Sequence, residues 1–293
     1  MYRSGSSSGA ARQLRVQHTT VGRRLAALEA GLGAKLFIRT PEGLSPTDAA
    51  GAIAPLAEEA ERCFVAIERQ VGRCDSRIEG KVRLTTSEAF SNYLIPHLAL
   101  LQTRHPDLAV ELDTSNAVLD LTRGEADVAV RAAPTTQGEL VCRKVGDAGW
   151  SLYASQDYIA RRGMPASPTE LAGHDVIGFY GALAQTPGAC WLAEHSKGAH
   201  VAMRGHSLVA IVNAAVAGIG LAMAPCFLAA AEPKLRRVTP QVLTTREIWL
   251  VFPPDAGRLA RVRTVIDYVA EVLAADRALL SGICAGEPVG APR

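Results

Sequence analysis

The sequence VQHTTVGRRLAALEAGLGAKLFIRT at residues 16–40 predicts a helix followed by a tight turn and a basic strand. Four apolar residues recur at helical spacing and would form one stripe, namely Val21, Leu25, Leu28 and Leu32. The opposite face carries Thr19, Arg23 and Ala26, which leave room for the close approach of another surface. Such a face suits insertion into a DNA major groove, where Arg and small polar groups contact base edges. An ordinary amphipathic helix with a solvated Arg pair is the alternative.

Short elements on both sides of this helix predict a helix-turn-helix with a wing. Residues 10–14 favour one short helix, and residues 15–17 form a turn into the next. Residues 36–39 and 44–45 are strand candidates, and the turn between them has Pro41 and Gly43 at favoured positions. This hairpin would be the wing.

A long helix is predicted from residue 48 to about residue 74. Thr47 is its candidate N-cap, and Asp48 lies in its first turn. Pro55 should kink or restart the helix. A narrow apolar stripe, interrupted only by Gln70, consists of Ile53, Leu56, Ala60, Cys63, Ile67 and Cys74. A stripe of this kind fits pairing with a second copy of the same helix.

The charge is unevenly distributed along the chain. The whole chain carries a formal net charge of +2. Residues 1–47 hold seven Lys and Arg residues against Glu29 and Glu42, a net of +5, which leaves −3 for the remainder. A basic head on a mildly acidic body is the asymmetry expected when one end of a protein binds a polyanion.

Length and composition limit the class of protein. The chain has 293 residues, 48% of them hydrophobic and 20% charged, which allows two or three domains with a sizeable core. Its six cysteines have no CxxC or metal-ligand spacing, as in proteins of a reducing compartment. The start of the chain lacks a signal-peptide pattern, and the apolar stretch 208–231 is broken by Gly218, Gly220 and Pro225. We therefore expect a cytoplasmic protein without a membrane span.

Sequence motifs give little support for catalysis. The letters GxSxG occur at residues 5–9, but the preceding strand that a nucleophile elbow needs is absent. HExxH, GxGxxG and P-loop patterns do not occur, and the spacing of His195, His200 and His206 does not suit ligands on one helical face. We predict no enzyme, no catalytic residues, no metal site and no cofactor.

From Gly80 onward, strands alternate with helices. The predicted strands are 81–86, 110–113, 127–131, 149–154, 219–223 and 248–252. The predicted helices are 93–102, 118–123, 208–217 and 261–275. This alternation predicts βαβ units and a mostly parallel sheet.

Taken together, the residues of the N-terminal part and of the α/β part resemble the LysR-type transcriptional regulators. The head matches that family's pattern at Val21, Arg23-Arg24-Leu25, Leu28-Glu29, Leu32-Gly33, Leu36-Phe37, Arg39-Thr40, and Leu44 to Thr47, with Gly51 one residue late. The body matches at Gly80 to Leu84, Pro96, His105-Pro106, Gly124 to Arg131, Ala217 to Ala222, and Pro225. The similarity covers roughly residues 5–280 in the right order. The chain departs from the pattern at its start, where residues 4–11 resemble the turn after the family's first helix.

The resemblance implies an α/β fold in four parts. We expect a winged helix-turn-helix DNA-binding domain over residues 1–47, with its first helix apparently missing, and a linker or dimerisation helix over residues 48–76. Residues 80–281 would form a two-lobed α/β effector-binding domain like that of periplasmic solute-binding proteins. Lobe I would comprise about 80–149 and 250–281, and lobe II about 150–249. A disordered tail would occupy residues 282–293.

The resemblance also assigns candidate DNA contacts. Base-edge contacts carry over to Gln17, His18, Thr19, Thr20 and Arg23, and phosphate contacts to Arg24, Arg39 and Thr40. The expected partners are double-stranded DNA, a small organic effector and further copies of the chain, as a dimer or homotetramer.

Five residues are candidates for binding the effector between the lobes: Ser87, Glu88, Arg131, Phe179 and Ser207. Ser87 and Ser207 precede predicted helices, whose free N–H groups favour a carboxylate, although both serines also suit simple capping. Arg131 ends a strand, where open α/β sheets bind ligands. Glu88 would repel an anion, so a neutral or partly cationic effector is the alternative.

Two further functions stay open from the sequence. The first is a truncated ligand-binding or dimerising protein that has lost autonomous DNA binding. The second is a solute-binding enzyme or transporter subunit, which the absence of a signal peptide disfavours.

Overall fold

The structure is a computed structural model, which describes residues 1–14, 16–40, 43–72, 77–114, 119–135 and 138–283. Within it the chain forms two compact units, Met1–Glu68 and Arg69–Arg293. The predictions for Arg15, Pro41, Cys74 and Val118, and for the tail beyond residue 283, lie outside the described residues.

The first unit is a helix-turn-helix followed by a wing and a long helix. Its elements are α1 (Ser7–Leu14), α2 (His18–Leu32), β1 (Phe37–Thr40), β2 (Gly43–Pro46) and α3 (Asp48–Gly72). The helix α1 begins three residues earlier than predicted. The strands β1 and β2 pair antiparallel, with Phe37 opposite Pro46 and Thr40 opposite Gly43. The predicted wing is therefore present.

The predicted apolar stripe of α2 is only half buried. Val21 is 7% exposed and packs with Ala10 and Ala11 of α1, and Leu25 is half-buried. Leu28 and Leu32 are 49% and 51% exposed, so the second half of the predicted stripe has no packing partner among the described residues of this unit. The shorter α1, with eight residues against fifteen in α2, contributes Ala10 and Ala11 to the cluster around Val21.

The helix α3 runs without interruption from Asp48 to Gly72, and Pro55 lies inside it rather than at a break. Two residues of its predicted apolar stripe face outward within this unit, since Leu56 and Ile67 are 65% and 58% exposed, and Phe64, outside that stripe, is 68% exposed. Pro55 is the eighth residue of α3, so the helix continues past it without the hydrogen bond that an N–H at this position would donate to the carbonyl oxygen of Gly51.

The second unit is built on one mixed nine-stranded sheet. Its strands are β3 (Gly80–Thr85), β4 (Leu108–Asp113), β5 (Val128–Arg131), β6 (Val141–Ser155), β7 (Asp175–Phe179), β8 (His200–Gly205), β9 (Leu221–Pro225), β10 (Leu235–Arg237) and β11 (Thr244–Phe252). Its helices are α4 (Glu88–Arg104), α5 (Gln156–Arg162), α6 (Pro187–His195), α7 (Leu208–Val216), α8 (Cys226–Ala230), α9 (Ala260–Ala275) and α10 (Arg277–Ser281).

The sheet order is β4-β3-β5-β11-β6-β9-β7-β8, with β10 pairing with β6. Four of these pairings are parallel and four are antiparallel, so the prediction of a mostly parallel sheet is wrong. The antiparallel pairings involve β6 and β11, which pass between the two lobes. The strands β4, β3 and β5 lie on one side of β11 and β6, in lobe I, and β9, β7 and β8 lie on the other side, in lobe II.

Burial explains why these segments form their elements. All five residues of β9 are buried, as expected for a strand between two others in a covered sheet. In α9, the residues Val262, Val265, Val269 and Leu273 recur at helical spacing and are at most 2% exposed. The predicted helix at 118–123 is only a 3-10 turn, Leu121–Arg123. Among the described residues, no helix is long and apolar enough to cross a membrane.

Candidate DNA-binding surface and effector cleft

The start of α2 presents the predicted base-contacting side chains. Gln17 is the N-cap in extended conformation, and its side chain makes no capping hydrogen bond. His18, Thr19 and Arg23 follow on the exposed side of the helix. Within the described residues, none of these four side chains has a hydrogen-bond or ion-pair partner. Their donors and acceptors are therefore available to an external surface.

The remaining predicted DNA contacts lie in α2 and the wing. Arg24 and Arg39 are exposed, whereas Thr20 and Thr40 are half-buried. The hydroxyl of Thr40 donates to the carbonyl oxygen of Gly43 at 3.3 Å and so closes the end of the hairpin. Cations at these positions suit phosphate contacts, which fix orientation rather than sequence.

Glu29 connects α2 to the wing, a role that the sequence analysis missed. Its carboxylate is 7% exposed and accepts hydrogen bonds from the backbone N–H groups of Leu36 at 2.8 Å and Phe37 at 3.2 Å. The Lys35 ammonium donates to its other oxygen at 2.7 Å. Lys35 and these amides hold the pKa of Glu29 below its ordinary value of 4.5. The sequence signal for this role was a single Glu between apolar residues of α2.

Thr47 connects the wing to α3. Its hydroxyl donates to the carbonyl oxygen of Lys35 at 2.8 Å and accepts from the N–H of Ala50 at 3.3 Å. Its own N–H donates to the carbonyl oxygen of Leu36 at 2.9 Å. The predicted N-cap thus also fixes the base of the hairpin.

In the second unit, Ser87 and Ser207 are both helix N-caps. The Ser87 hydroxyl accepts from the N–H of Phe90 at the start of α4, and the Ser207 hydroxyl accepts from the N–H of Ala210 at the start of α7. These two helices belong to lobe I and lobe II respectively. Each cap satisfies one of the free N–H groups of its helix.

A hydrogen bond between the lobes joins two of the predicted effector residues. The Ser207 hydroxyl donates to Oε2 of Glu88 at 2.6 Å, across 119 residues of sequence. Glu88 is exposed and follows the cap residue Ser87 directly. The structure therefore brings Ser87, Glu88 and Ser207 together at the cleft between the lobes.

Phe179 ends β7 and pairs with Gly205, two residues before Ser207. Next to it lies a polar pair that the sequence analysis missed: the Tyr180 hydroxyl is 2.7 Å from Nδ1 of His206. Tyr180 and His206 are both exposed, and their rings are 5.0 Å apart. No local pattern joins these residues, since the contact depends on the pairing of β7 with β8.

Arg131 lies elsewhere in lobe I. Its guanidinium donates to the carbonyl oxygen of Leu119 at 2.8 Å, and burial lowers its pKa. The described contacts do not include one from Arg131 to Glu88 or Ser207. A second arginine was missed: Arg246 on β11 donates through Nε to the carbonyl oxygen of Ala132 at 3.2 Å, beyond the end of β5.

Metal binding has no support in the described part of the chain, where no group of three or more His, Cys, Asp or Glu side chains could hold an ion. The arrangement offers binding surfaces instead, a polar helix start with a wing in the first unit and an inter-lobe cleft in the second.

Comparisons with known proteins cover both units. A family model described as "LysR substrate binding domain" matches residues 75–274. A second, described as "Bacterial regulatory helix-turn-helix protein, lysR family", matches residues 1–51.

Individual relatives agree with these matches. The Mau operon transcriptional activator of Paracoccus denitrificans is 30% identical over 274 residues, which are 93% of each chain. An HTH-type transcriptional regulator of Xanthomonas campestris pv. campestris is 33% identical over 174 residues, which are 59% of this chain and 51% of that protein. The solved structure of CrgA, a LysR-type transcriptional regulator from Neisseria meningitidis, is 26% identical and covers 92% of this chain and 94% of its own, with a TM-score of 0.58.

Proposed function

This chain belongs to the LysR family of bacterial transcriptional regulators, and we propose that it binds DNA through the start of α2 and the wing while a small organic molecule binds between its lobes. It acts in this proposal by binding rather than by catalysis, in the cytoplasm where the chromosome lies. In this proposal residues 1–47 bind DNA, residues 48–76 are the linker and residues 80–281 are the effector domain.

The observation that carries the proposal is the set of unpartnered polar side chains at the start of α2. Gln17, His18, Thr19 and Arg23 are exposed and make no side-chain hydrogen bond or ion pair among the described residues. In the proposal they contact base edges, together with Thr20. Arg24, Arg39 and Thr40 contact phosphates, which adds affinity without sequence preference.

The proposed effector site is the cleft around Glu88 and Ser207. The 2.6 Å hydrogen bond between them supports a site that both lobes share. Ser87 supplies a second hydroxyl, and Phe179 supplies an apolar wall. Arg131 supports the site indirectly in this proposal, through its hydrogen bond to the carbonyl oxygen of Leu119.

Self-association through α3 completes the proposal. The exposed side chains of Leu56, Phe64 and Ile67 support a partner helix, because large apolar residues on one helix favour burial against another. We propose a dimer through α3, with further assembly to a homotetramer.

The proposal is tested by gel-shift titration of the full chain with DNA upstream of its own gene, over a series of salt concentrations. We expect sequence-selective binding that weakens steeply with salt, because phosphate contacts release counterions. Arg23→Ala should cost about 1–3 kcal/mol of specific binding, with little change for unrelated DNA.

The matched control is Arg258→Ala, which removes an exposed arginine of the effector domain and should leave DNA affinity unchanged. Equal losses on specific and unrelated DNA would contradict base contacts by Arg23. Dimers that bind no DNA would favour a ligand-binding protein without autonomous DNA binding.

A further inference from the structure

A cavity of about 330 Å³ lies on the second unit, between α4, α8 and α10. Its α4 side is formed by Tyr93, Pro96 and His97, one to three turns beyond Glu88 at the start of the helix. The volume is at the small end of the ~300–1,000 Å³ range that holds organic ligands. None of the five predicted effector residues lines it.

The polar part of the lining is acidic. Oδ2 of Asp276 accepts from the Tyr93 hydroxyl at 2.9 Å and lies 3.3 Å from Nε2 of His97. Oδ1 of Asp276 and the half-buried carboxylate of Glu232 have no partner among the described residues. The lining contains no Lys or Arg. Burial, and after it Asp276, raises the pKa of Tyr93, so the phenol keeps its proton and remains a donor.

The rest of the lining is apolar and aromatic. Phe227 and Leu228 of α8 form one wall, and the ring of Tyr93 meets that of Phe227 at 5.8 Å and 65°. Phe227 also stacks on Phe90 of the main core at 4.9 Å, so this wall is fixed in place. A ligand of this cavity must therefore have an apolar part that packs on this wall and a hydrogen-bond donor for the carboxylates.

We propose that this cavity binds a small primary amine, whose protonated amino group is held by Asp276 and Glu232 and whose apolar body packs on Phe227 and Leu228. The ammonium group supplies three donors to two carboxylates that have acceptor capacity to spare. The ring of Tyr93 adds a cation–π contribution.

Other ligand classes fit less well. A carboxylate or phosphate would face two carboxylates and no Lys or Arg, and the basic side chain present, His97, already lies 3.3 Å from Asp276, so the anion would be repelled by like charges. A neutral molecule of the same shape would leave Glu232 without a partner while removing water from it, which is unfavourable. The cavity therefore distinguishes amines from acids by charge.

Binding is tested on the full chain by isothermal titration calorimetry with 2-phenylethylamine, against 2-phenylethanol and phenylacetate as neutral and anionic probes. We expect saturable binding of the amine only. Asp276→Asn, which keeps an oxygen for Tyr93, should raise the Kd about tenfold or more, because a charge-assisted hydrogen bond is lost. Glu232→Gln should weaken binding as well, and it removes no internal contact.

Two further variants locate the bound amine. Ala231→Phe fills the cavity and should abolish binding, whereas Asp267→Asn removes an exposed carboxylate of α9 and should leave the Kd unchanged. No amine binding tighter than about 1 mM would overturn the proposal. So would equal affinity for 2-phenylethanol, or loss of binding in Glu88→Gln with retention in Ala231→Phe, which would move the amine to the inter-lobe cleft. None of these outcomes depends on DNA binding.

Discussion

The apolar cluster of the head consists of Ala10, Ala11 and Val21, whereas that of the effector domain packs a nine-stranded sheet with bulky residues such as Leu84 and Ile248. In the head, which is the first unit, polar side chains connect the elements through hydrogen bonds to backbone groups. Glu29 connects α2 to the wing, and Thr47 connects the wing to α3. Apolar burial stabilises in proportion to area, whereas a polar connection fixes one geometry. We therefore expect single polar substitutions to disrupt the arrangement of elements in the head. In the effector domain, we expect large-to-small substitutions in the apolar core to have the largest effect.

The largest effect is expected from Leu84→Ala in β3. Leu84 is fully buried, so the cavity should lower the free energy of unfolding of the effector domain by about 2–5 kcal/mol. All three tryptophans, at 150, 191 and 249, lie in this domain, so urea unfolding followed by Trp fluorescence reports it selectively.

Val21→Ala is the matched change in the head. It should leave the Trp-detected transition unchanged, because residues 1–68 form a separate compact unit that contains no tryptophan. A shift of that transition comparable to the one from Leu84→Ala would break the comparison between the two units.

Glu29→Gln comes next and acts on the head alone. It removes the charge that Lys35 and two backbone amides contact, so the wing should lose its fixed position and specific DNA affinity should fall several-fold in a gel shift. Glu111→Gln is the control, because Glu111 pairs with Lys81 at the same 2.7 Å but on the effector domain. Equal DNA affinity for the two variants would contradict the role of Glu29.

The same variant has a pH signature. Because the folded pKa of Glu29 lies below 4.5, its stabilisation is complete above the unfolded value and is lost as pH falls through the folded one. The stability difference between wild type and Glu29→Gln, followed by circular dichroism, should therefore be present at neutral pH and shrink below about pH 4.5. A constant difference would mean that charge is not involved.

A smaller effect is expected from Ser207→Ala in lobe II. Loss of the α7 cap should cost about 1 kcal/mol of effector-domain stability. Ser87→Ala removes the equivalent cap of α4, which has no described bond to the other lobe. The difference between the two losses, measured by urea unfolding, reports the Glu88–Ser207 contact, and no difference would mean that this contact adds no stability.

The smallest effect is expected from Leu28→Gln. Leu28 is 49% exposed on α2, so the substitution should change head stability by no more than about 0.5 kcal/mol in thermal unfolding followed by circular dichroism. A much larger loss would show that Leu28 is buried in solution, which would enlarge the apolar core of the head and weaken the contrast with the effector domain.

Local patterns predicted most of the elements but few of the long-range contacts. The helix at 261–275 and the wing were found because their signals lie within a few residues of each other. The prediction for β6 was short by nine residues, and the antiparallel pairing of β6 with β11 was missed, because its partners are about a hundred residues apart.

The candidate sites show the same limit. Capping by Ser87 and Ser207 follows from local sequence, and both residues are caps in the structure. The bond from Ser207 to Glu88 depends on how two lobes meet, and the bond from Arg131 to Leu119 on one side-chain conformation. Neither is encoded in neighbouring residues.

The strand β6 pairs with β11 along residues 141–150 and with β9 along 150–153, so one continuous backbone runs through both lobes. Because β6 is shared in this way, a change in the angle between the lobes would twist β6. The register of β11 shifts between Ile248 and Trp249, and a bulge is where a strand bends and twists most readily. The continuous pairing along β6 therefore couples the twist of the sheet in one lobe to that in the other.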